Sequence, residues 1–200
     1  MEQLQKMILA NKFNMKKIIF LTVFTFCLCA KAQTIAITDT PRKIPNGIYL
    51  KDIDNTLPLF TGIWTANFEG NQITLNISDR VEKYLKKLSV NYYSDVLFIR
   101  YTIKDSNGNQ VATTMNKAIV DANIISTYPS KDKKRIGFYY KGEACGIGNG
   151  LIGLTIIDET HISWEFRPLG GIIDPSNCSD YSPNIKSYIP RSLDLTFTKQ

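Results

Sequence analysis

The chain has 200 residues, of which 24 are basic and 18 are acidic. Five of the basic residues and one acidic residue lie within residues 1–32, so the remaining 168 residues carry 19 basic and 17 acidic side chains and a net charge of +2. This near balance gives no electrostatic case for a nucleic-acid partner or an anionic membrane, and the length is that of one domain with a substantial core.

Residues 1–32 are predicted to be an N-terminal extension and a cleavable signal peptide. Lys16 and Lys17 precede the apolar run "IIFLTVFTFCLC" and the small-residue site "AKA", which are the three parts of a secretory signal. The apolar run has 12 residues, fewer than the roughly 20 that a membrane-spanning helix needs. We therefore expect no integral membrane segment after cleavage.

Cleavage at this site leaves Gln33 as the first residue of an exported protein, in the periplasm, on the outer surface or secreted. Lipidation of Cys27 or Cys29 is the alternative, which the bulky residue before each cysteine disfavours. The start of translation has two candidates, Met1 and Met15, and "MKKIIF" from Met15 makes the more compact signal.

Residues 33–59 are predicted to form an extended arm, and residues 60–200 a single β-barrel-like domain. The arm contains scattered prolines and no sustained periodicity, which favours irregular extended chain. After it come short alternating segments typical of strands: "GIWTANF", "NQITLNI", "DVLFIRYTIK", "QVATT", "RIGFYY", "GLIGLTII", "HISWEF" and "LDLTFTK". Their number and turn spacing predict an all-β fold, an antiparallel barrel or strongly curved sheet of about eight strands.

Turn residues predict three of the connections. The three residues "EGN" join the first two strands, residues 106–109 form a hairpin turn because an Asn-Gly step tolerates positive φ, and residues 158–160 join the strands that flank them. Residues 79–88, "DRVEKYLKKL", fit a helical turn by spacing and an edge strand by position. Both alternatives stay open. In the first hairpin we expect Trp64, Phe68, Ile73 and Leu75 to face inward.

Cys145 and Cys178 are the two cysteines that remain after cleavage. Disulfides persist in exported proteins. Cys145 precedes the strand that starts near Gly150, and Cys178 follows the strand that ends at Phe166, so a hairpin of these strands brings the cysteines together. We predict a disulfide that closes a loop of about 34 residues; two free thiols are the alternative.

No residue cluster carries recognisable catalytic or metal chemistry. His161 is the only histidine, so the chain lacks the residues that a multi-histidine zinc site or a Ser-His-Asp hydrolase with a second supporting histidine requires. "GNGLIG" matches a dinucleotide motif, but a β-branched segment follows it where a helix is required. We predict a non-enzymatic protein without metal or cofactor. The alternative is a hydrolase with a carboxylate pair, drawn from Asp95, Asp158, Glu159, Glu165, Asp174 and Asp180.

"GIWTANF" resembles the G-x-W opening of lipocalin-like, calycin-type barrels, in which the Trp closes one barrel end. The resemblance implies an Arg stacked on that Trp, for which Arg167 and Arg191 are the candidates; a C-terminal helix of the lipocalin kind is not evident. "PNGIYLKDIDNTLPLFTGIW", "YYSDVLFIRYTIKDSNGNQV" and "IPRSLDLTFTK" are similar to an uncharacterised family of exported Bacteroidetes proteins, domain-of-unknown-function family 6705. That family implies no activity, so no catalytic residue is carried over.

Two functions follow as hypotheses. The first is an exported β-barrel that binds a small apolar or amphipathic ligand at its mouth, because a barrel of about eight strands holds one such ligand or fills its interior with side chains. A cavity of several hundred cubic ångströms would support it. The alternative is an envelope interaction module that contacts protein or polysaccharide through the long loop 168–190. The predicted ligand contacts in the barrel interior are Trp64, Phe68, Tyr101, Phe138 and Trp164.

Overall fold

Alternating apolar and polar residues build thirteen β-strands in the described part of the chain. The structure, a computed structural model, describes residues 33–87, 89–170 and 178–200. The predicted leader of residues 1–32 lies outside these ranges. The strands are β1 (Thr34–Ala36), β2 (Tyr49–Lys51), β3 (Gly62–Phe68), β4 (Asn71–Ile77), β5 (Val81–Lys87), β6 (Val90–Val96), β7 (Phe98–Lys104), β8 (Gln110–Thr113), β9 (Ile124–Pro129), β10 (Arg135–Tyr140), β11 (Gly150–Ile156), β12 (His161–Pro168) and β13 (Leu195–Lys199).

Helical structure within the described ranges is limited to four 3₁₀ helices of three residues each. They span Ile37–Asp39, Leu57–Leu59, Ile119–Asp121 and Ala144–Gly146. No helix in these ranges has the length and apolar composition needed to cross a membrane.

Eight strands close an antiparallel barrel. Around the barrel their order is β3, β4, β7, β9, β10, β11, β12 and β13, and β13 pairs back with β3. Strand β8 pairs with the far half of β7, beyond the short stretch where β7 pairs with β9. The predicted all-β antiparallel barrel of about eight strands is confirmed, and closure removes the exposed edges of an open sheet.

The first hairpin shows how local sequence sets the register. Phe68 pairs with Asn71 across β3 and β4, so the turn consists of the two residues Glu69 and Gly70, one fewer than predicted. Their φ angles are 50° and 78°. Positive φ at both central positions is the requirement of a type I′ turn, whose twist matches that of the flanking strands. The hairpin loop of residues 105–109 is longer and has positive φ at Gly108 alone, at 83°.

Side chains fill the barrel interior. Trp164 and Phe197 have ring centroids 5.7 Å apart, and Tyr140 and Phe166 are 6.4 Å apart. The buried hydrophobic side chains of the barrel strands keep 0 to 3% of their surface accessible. A side chain that faced a water-sized void would keep more, so the interior is packed like an ordinary hydrophobic core.

The remaining strands form a four-stranded sheet in the order β1, β2, β6 and β5. Within the segment 79–88, residues Val81–Lys87 adopt the edge-strand alternative as β5, and the segment predicted as an extended arm contributes β1 and β2. One face of this sheet joins the barrel core through the fully buried Leu50 and Tyr92. The hydroxyl groups of Tyr92 and Tyr128 on β9 are 2.7 Å apart, which fixes the sheet against the barrel.

Candidate functional site

The structure brings the predicted interior residues into one core. Trp64, Tyr101, Phe138 and Trp164 are buried, and Phe68 is half-buried beside them. Their partners are other side chains of the same core. Four of the five predicted contacts therefore pack against other core side chains of the described structure, and Phe68 is the one that stays half-buried.

Trp64 lies at the start of β3, at the barrel end opposite the β3–β4 turn. Its indole Nε1 donates to the Phe60 carbonyl at 3.0 Å. The cation over its ring is Lys199 of β13, with Nζ 5.1 Å from the centroid, and neither Arg167 nor Arg191 has that contact in the described structure. Gly62 makes room for the lysine, because a Cβ there would lie 3.2 Å from Lys199 Cε.

The other barrel end, next to the β3–β4 turn, is the mouth. Residues 185–191, here called the strap, lie across it. Ile189 of the strap is buried, the Trp164 Nε1 donates to the Pro190 carbonyl at 3.1 Å, and the Ser187 hydroxyl is 3.4 Å from the Tyr140 hydroxyl. These contacts hold the strap onto the barrel and close most of the mouth.

The predicted disulfide is confirmed and supports the strap. Cys145 and Cys178 are bonded, with their Cα atoms 5.8 Å apart, within the usual range for a disulfide. The bond ties the loop after β10 to the segment that leads into the strap. Gly148 in that loop has φ 75°, and a Cβ there would lie 2.4 Å from Ser187 Cβ, so a glycine is required where the loop meets the strap.

The loop after β10 is also held by hydrogen bonds from two buried tyrosines to its carboxylate, Glu143. Tyr101 and Tyr140 both donate to Oε1 of Glu143, at 2.7 and 2.6 Å. Burial, followed by the contact with Glu143, raises the pKa of both tyrosines well above the ordinary value. Both hydroxyl groups therefore stay protonated as donors at neutral pH, and Tyr101, a predicted ligand contact, serves as a structural anchor.

A cleft of about 220 Å³ remains open at the mouth, between the strap and the β3–β4 turn. Its floor is closed by Ile73 and Ile103, which are cross-strand partners on β4 and β7. The half-buried Phe68 ring and the exposed Tyr188 ring form its aromatic walls. The lining residues are Phe68, Glu69, Asn71, Ile73, Ile103 and residues 186–191.

The rim of the mouth cleft is charged. Lys186 and Arg191 contribute two cations, and Glu69 of the turn contributes one carboxylate. The Lys186 Nζ lies 5.4 Å from the Tyr188 ring centroid, whereas Arg191 is exposed and forms no ion pair with any residue that the structure describes. The cleft thus combines aromatic walls with a net positive rim.

The sequence indicates Phe68 and the 168–190 segment as parts of a site. It does not indicate that Lys186, Arg191 and the pair Ile73 and Ile103 lie beside Phe68 in the mouth cleft. The β3–β4 pattern contained a signal for Phe68, because it is the last inward residue before the turn. Nothing in the sequence placed the strap over that turn. Residues 171–177 of the predicted interaction loop lie outside the described residues.

Three of the acidic residues considered for a hydrolase, Asp95, Asp158 and Glu165, have structural partners. Asp95 is buried and accepts hydrogen bonds from the Tyr49 hydroxyl at 2.6 Å and from the Asp52 amide at 2.7 Å. Asp158 accepts from the Thr160 amide and contacts His161 Nδ1, both within its exposed turn. Hydrogen bonds from the Thr160 amide and then from His161 lower the Asp158 pKa to about 2.

Glu165 lies on the outer barrel wall between Arg135 and Arg167. The hydrogen bond from Arg135 and then that from Arg167 keep its pKa below the usual range. Gly153 lets the Arg135 guanidinium cross the sheet, because a Cβ there would lie 2.4 Å from Nη2. Asp174, another of the candidates for a hydrolase carboxylate pair, lies outside the described residues. "GNGLIG" runs directly into β11, so no helix follows it.

Residues 15–200 match the model of a family described as "Family of unknown function (DUF6705)". The match includes the strap, the disulfide and all the described strands. No curated protein and no solved structure matches the chain.

Proposed function

The chain belongs to the DUF6705 family of unknown function, and we propose that it is an exported, non-enzymatic protein that binds a small amphipathic anion in the mouth cleft. The observation that carries this proposal is the pairing of aromatic walls with Arg191, a cation without an ion-pair partner in the described structure. The ligand we expect is a short alkyl or aryl carboxylate.

The size of the cleft supports a small ligand. Its volume of about 220 Å³ lies below the roughly 300–1,000 Å³ typical of pockets for larger molecules. Burial of about 120 Å² of apolar ligand surface contributes about 3 kcal/mol, and one charge-assisted hydrogen bond adds about 2 kcal/mol. The dissociation constant expected from these contributions is roughly 0.1 to 1 mM.

The lining supports binding over catalysis. Its described residues include no histidine, cysteine or aspartate, and the one carboxylate among them, Glu69, belongs to the exposed hairpin turn. Ser187 of the lining has the Tyr140 hydroxyl 3.4 Å away, but burial raises the Tyr140 pKa, so this pair lacks the base that nucleophilic and general acid–base catalysis need. A buried carboxylate such as Asp95 is already satisfied by a phenol and an amide, which supports a structural role.

The test is an NMR titration of the folded protein with hexanoate, 1-hexanol and hexylamine, three probes with the same chain and different head groups. We expect hexanoate to bind most tightly and to shift the amide signals of the strap and the β3–β4 turn. Arg191→Gln should weaken hexanoate binding about tenfold and leave hexanol unchanged, and Phe68→Ala should weaken both.

Arg42→Gln is the matched control, because Arg42 is also an exposed arginine but lies outside the cleft. Tighter binding of hexylamine than of hexanoate would contradict the proposed charge selectivity. Shifts confined to residues away from the mouth would contradict the proposed location.

A further inference from the structure

Three tyrosines from separate strands form a row on the four-stranded sheet. Tyr49 on β2 is the register partner of Tyr93 on β6, and Tyr93 is the register partner of Tyr84 on β5. Their ring centroids are 6.5 Å apart for Tyr49 and Tyr93 and 5.0 Å apart for Tyr84 and Tyr93. We call these three residues the tyrosine row.

The row faces away from the core. Side chains alternate between the two faces of a strand, and the neighbours Leu50 and Tyr92 are fully buried against the barrel. Tyr84 and Tyr93 therefore point outward, with 47% and 42% of their surface exposed. A continuous aromatic strip thus crosses three strands on the outer face of the sheet.

The row is held in place from one end. The Tyr49 hydroxyl donates to Oδ1 of Asp95 at 2.6 Å. Asp95 is in turn fixed by the Asp52 amide at 2.7 Å and by Arg80, whose Nη1 lies 3.6 Å from Oδ2. Side chains that are already ordered lose little freedom when a partner binds, so the row is pre-organised for contact.

The side chains around the row are polar and carry both signs of charge. On the same face, Lys51 and Lys86 are exposed cations, Glu82 is an exposed anion and Asn91 is a half-buried amide. This balance does not favour a polyanion or an anionic membrane. The outward positions of β2, β5 and β6 hold no aliphatic residue, so the tyrosine rings are the main apolar surface there. The Tyr49 and Tyr93 rings meet edge to face at 70°, and the Tyr84 and Tyr93 rings are tilted by 49°.

The area of the face is small. Strands lie about 4.8 Å apart and residues about 3.3 Å apart along a strand, so four strands and the five residues 82–86 give roughly 300 Å². A stable protein interface needs about 800 Å² on each partner. The outer face by itself is therefore smaller than a stable protein interface and has the dimensions of a short oligosaccharide site.

We propose that the tyrosine row binds a neutral oligosaccharide or polysaccharide made of pyranose rings. The C–H groups on a pyranose face carry partial positive charge and complement the negative face of an aromatic ring. The sugar hydroxyl groups find both donors and acceptors in the flanking lysines, Glu82 and Asn91. The two exposed rings, Tyr84 and Tyr93, lie 5.0 Å apart and are tilted by 49°, so together they contact one sugar ring or two consecutive rings of the chain.

The experiment is affinity electrophoresis and calorimetry of the folded, leader-free protein with neutral hexasaccharides of glucose (α- and β-linked), xylose and N-acetylglucosamine. Polygalacturonate and duplex DNA serve as acidic probes. We expect at least one neutral glycan to bind with a dissociation constant below 1 mM at 150 mM salt. The double substitution Tyr84→Ala and Tyr93→Ala should weaken it at least tenfold.

Tyr139→Ala is the matched control, because Tyr139 is also an exposed tyrosine, at 37%, but lies on β10 of the barrel wall. It should leave glycan binding unchanged, and circular dichroism should show both variants folded. The proposal is overturned if no neutral glycan binds, if only the acidic probes bind, or if the double variant binds as tightly as the parent. It is also overturned if light scattering shows a dimer that the double variant dissociates.

Discussion

Phe138→Ala separates a filled barrel from a barrel that holds a ligand inside. Phe138 is fully buried on β10, and its neighbours Ile152 and Ser126 on β11 and β9 lie at the same level of the barrel. Removal of the ring empties roughly 100 Å³, and at about 24 cal/mol per Å³ the cavity costs about 2.4 kcal/mol. The lost burial of roughly 100 Å² of apolar surface adds about 2.5 kcal/mol.

A packed interior therefore predicts a loss of about 4 to 5 kcal/mol in the free energy of unfolding. The measurement is urea denaturation followed by the fluorescence of Trp64 and Trp164, with circular dichroism as a second probe of two-state behaviour. Benzene should restore part of the lost stability, because a dry apolar cavity of this size binds it. Tyr139→Ala, on the same strand but exposed, is the control and should cost less than about 1 kcal/mol.

A loss below about 1.5 kcal/mol for Phe138→Ala would refute the packed interior. Such a small cost means that the ring already bordered open space, as expected if Trp64, Phe68, Tyr101, Phe138 and Trp164 line a ligand cavity. The same experiment therefore decides between the interior and the mouth cleft as the site of ligand contact.

Three further predictions concern the mouth and the pH dependence of stability. Replacement of Cys145 and Cys178 by serine releases a loop with a sequence separation of 33, which should cost about 4 kcal/mol and lower the melting temperature by about 8–15 °C; an unchanged melting temperature would contradict this. Gly148→Ala should lower the free energy of unfolding measured in urea by about 1–3 kcal/mol, because Gly148 has positive φ and lies close to Ser187. An unchanged free energy of unfolding would show that the loop can move to accommodate the added Cβ. The Asp158 pKa of about 2 lies below its ordinary value of 3.8, so its contribution to stability is present above about pH 4 and is lost as the pH falls toward 2; an NMR titration midpoint near 3.8 would rule this out.

The barrel strands were the most predictable part of the fold, because their information is local. Strict alternation in "NQITLNI" and the turn residues Glu69 and Gly70 define the first hairpin without help from the rest of the chain. The disulfide followed from the same hairpin logic at β11 and β12. Strand β9 was not assigned, since "IISTYP" lacks clear alternation and its hydrophobic residues are placed by pairing with β7 and β10.

The mouth cleft was only partly predictable. Alternation in β3 identifies Phe68 as inward and close to the turn. The approach of the strap depends on contacts such as that of Trp164 with the Pro190 carbonyl, which join residues with no local pattern in common. The lipocalin resemblance makes Arg191 a candidate for stacking on Trp64. In the structure β13 places Lys199 over Trp64, and Arg191 lies at the opposite end of the barrel.

The tyrosine row depends on register, which the sequence does not reveal. Tyr49 lies in the segment predicted as an arm, and it meets Tyr93 through a parallel pairing that has no turn signal. Tyr92 and Tyr93 are consecutive, and a one-residue slip would exchange which of them faces the core. The Tyr92–Tyr128 hydroxyl contact, at 2.7 Å, selects Tyr92 as the buried member. The outward position of Tyr93, and with it the proposed glycan contact, therefore follows from the burial of Tyr92 on the other face of the sheet.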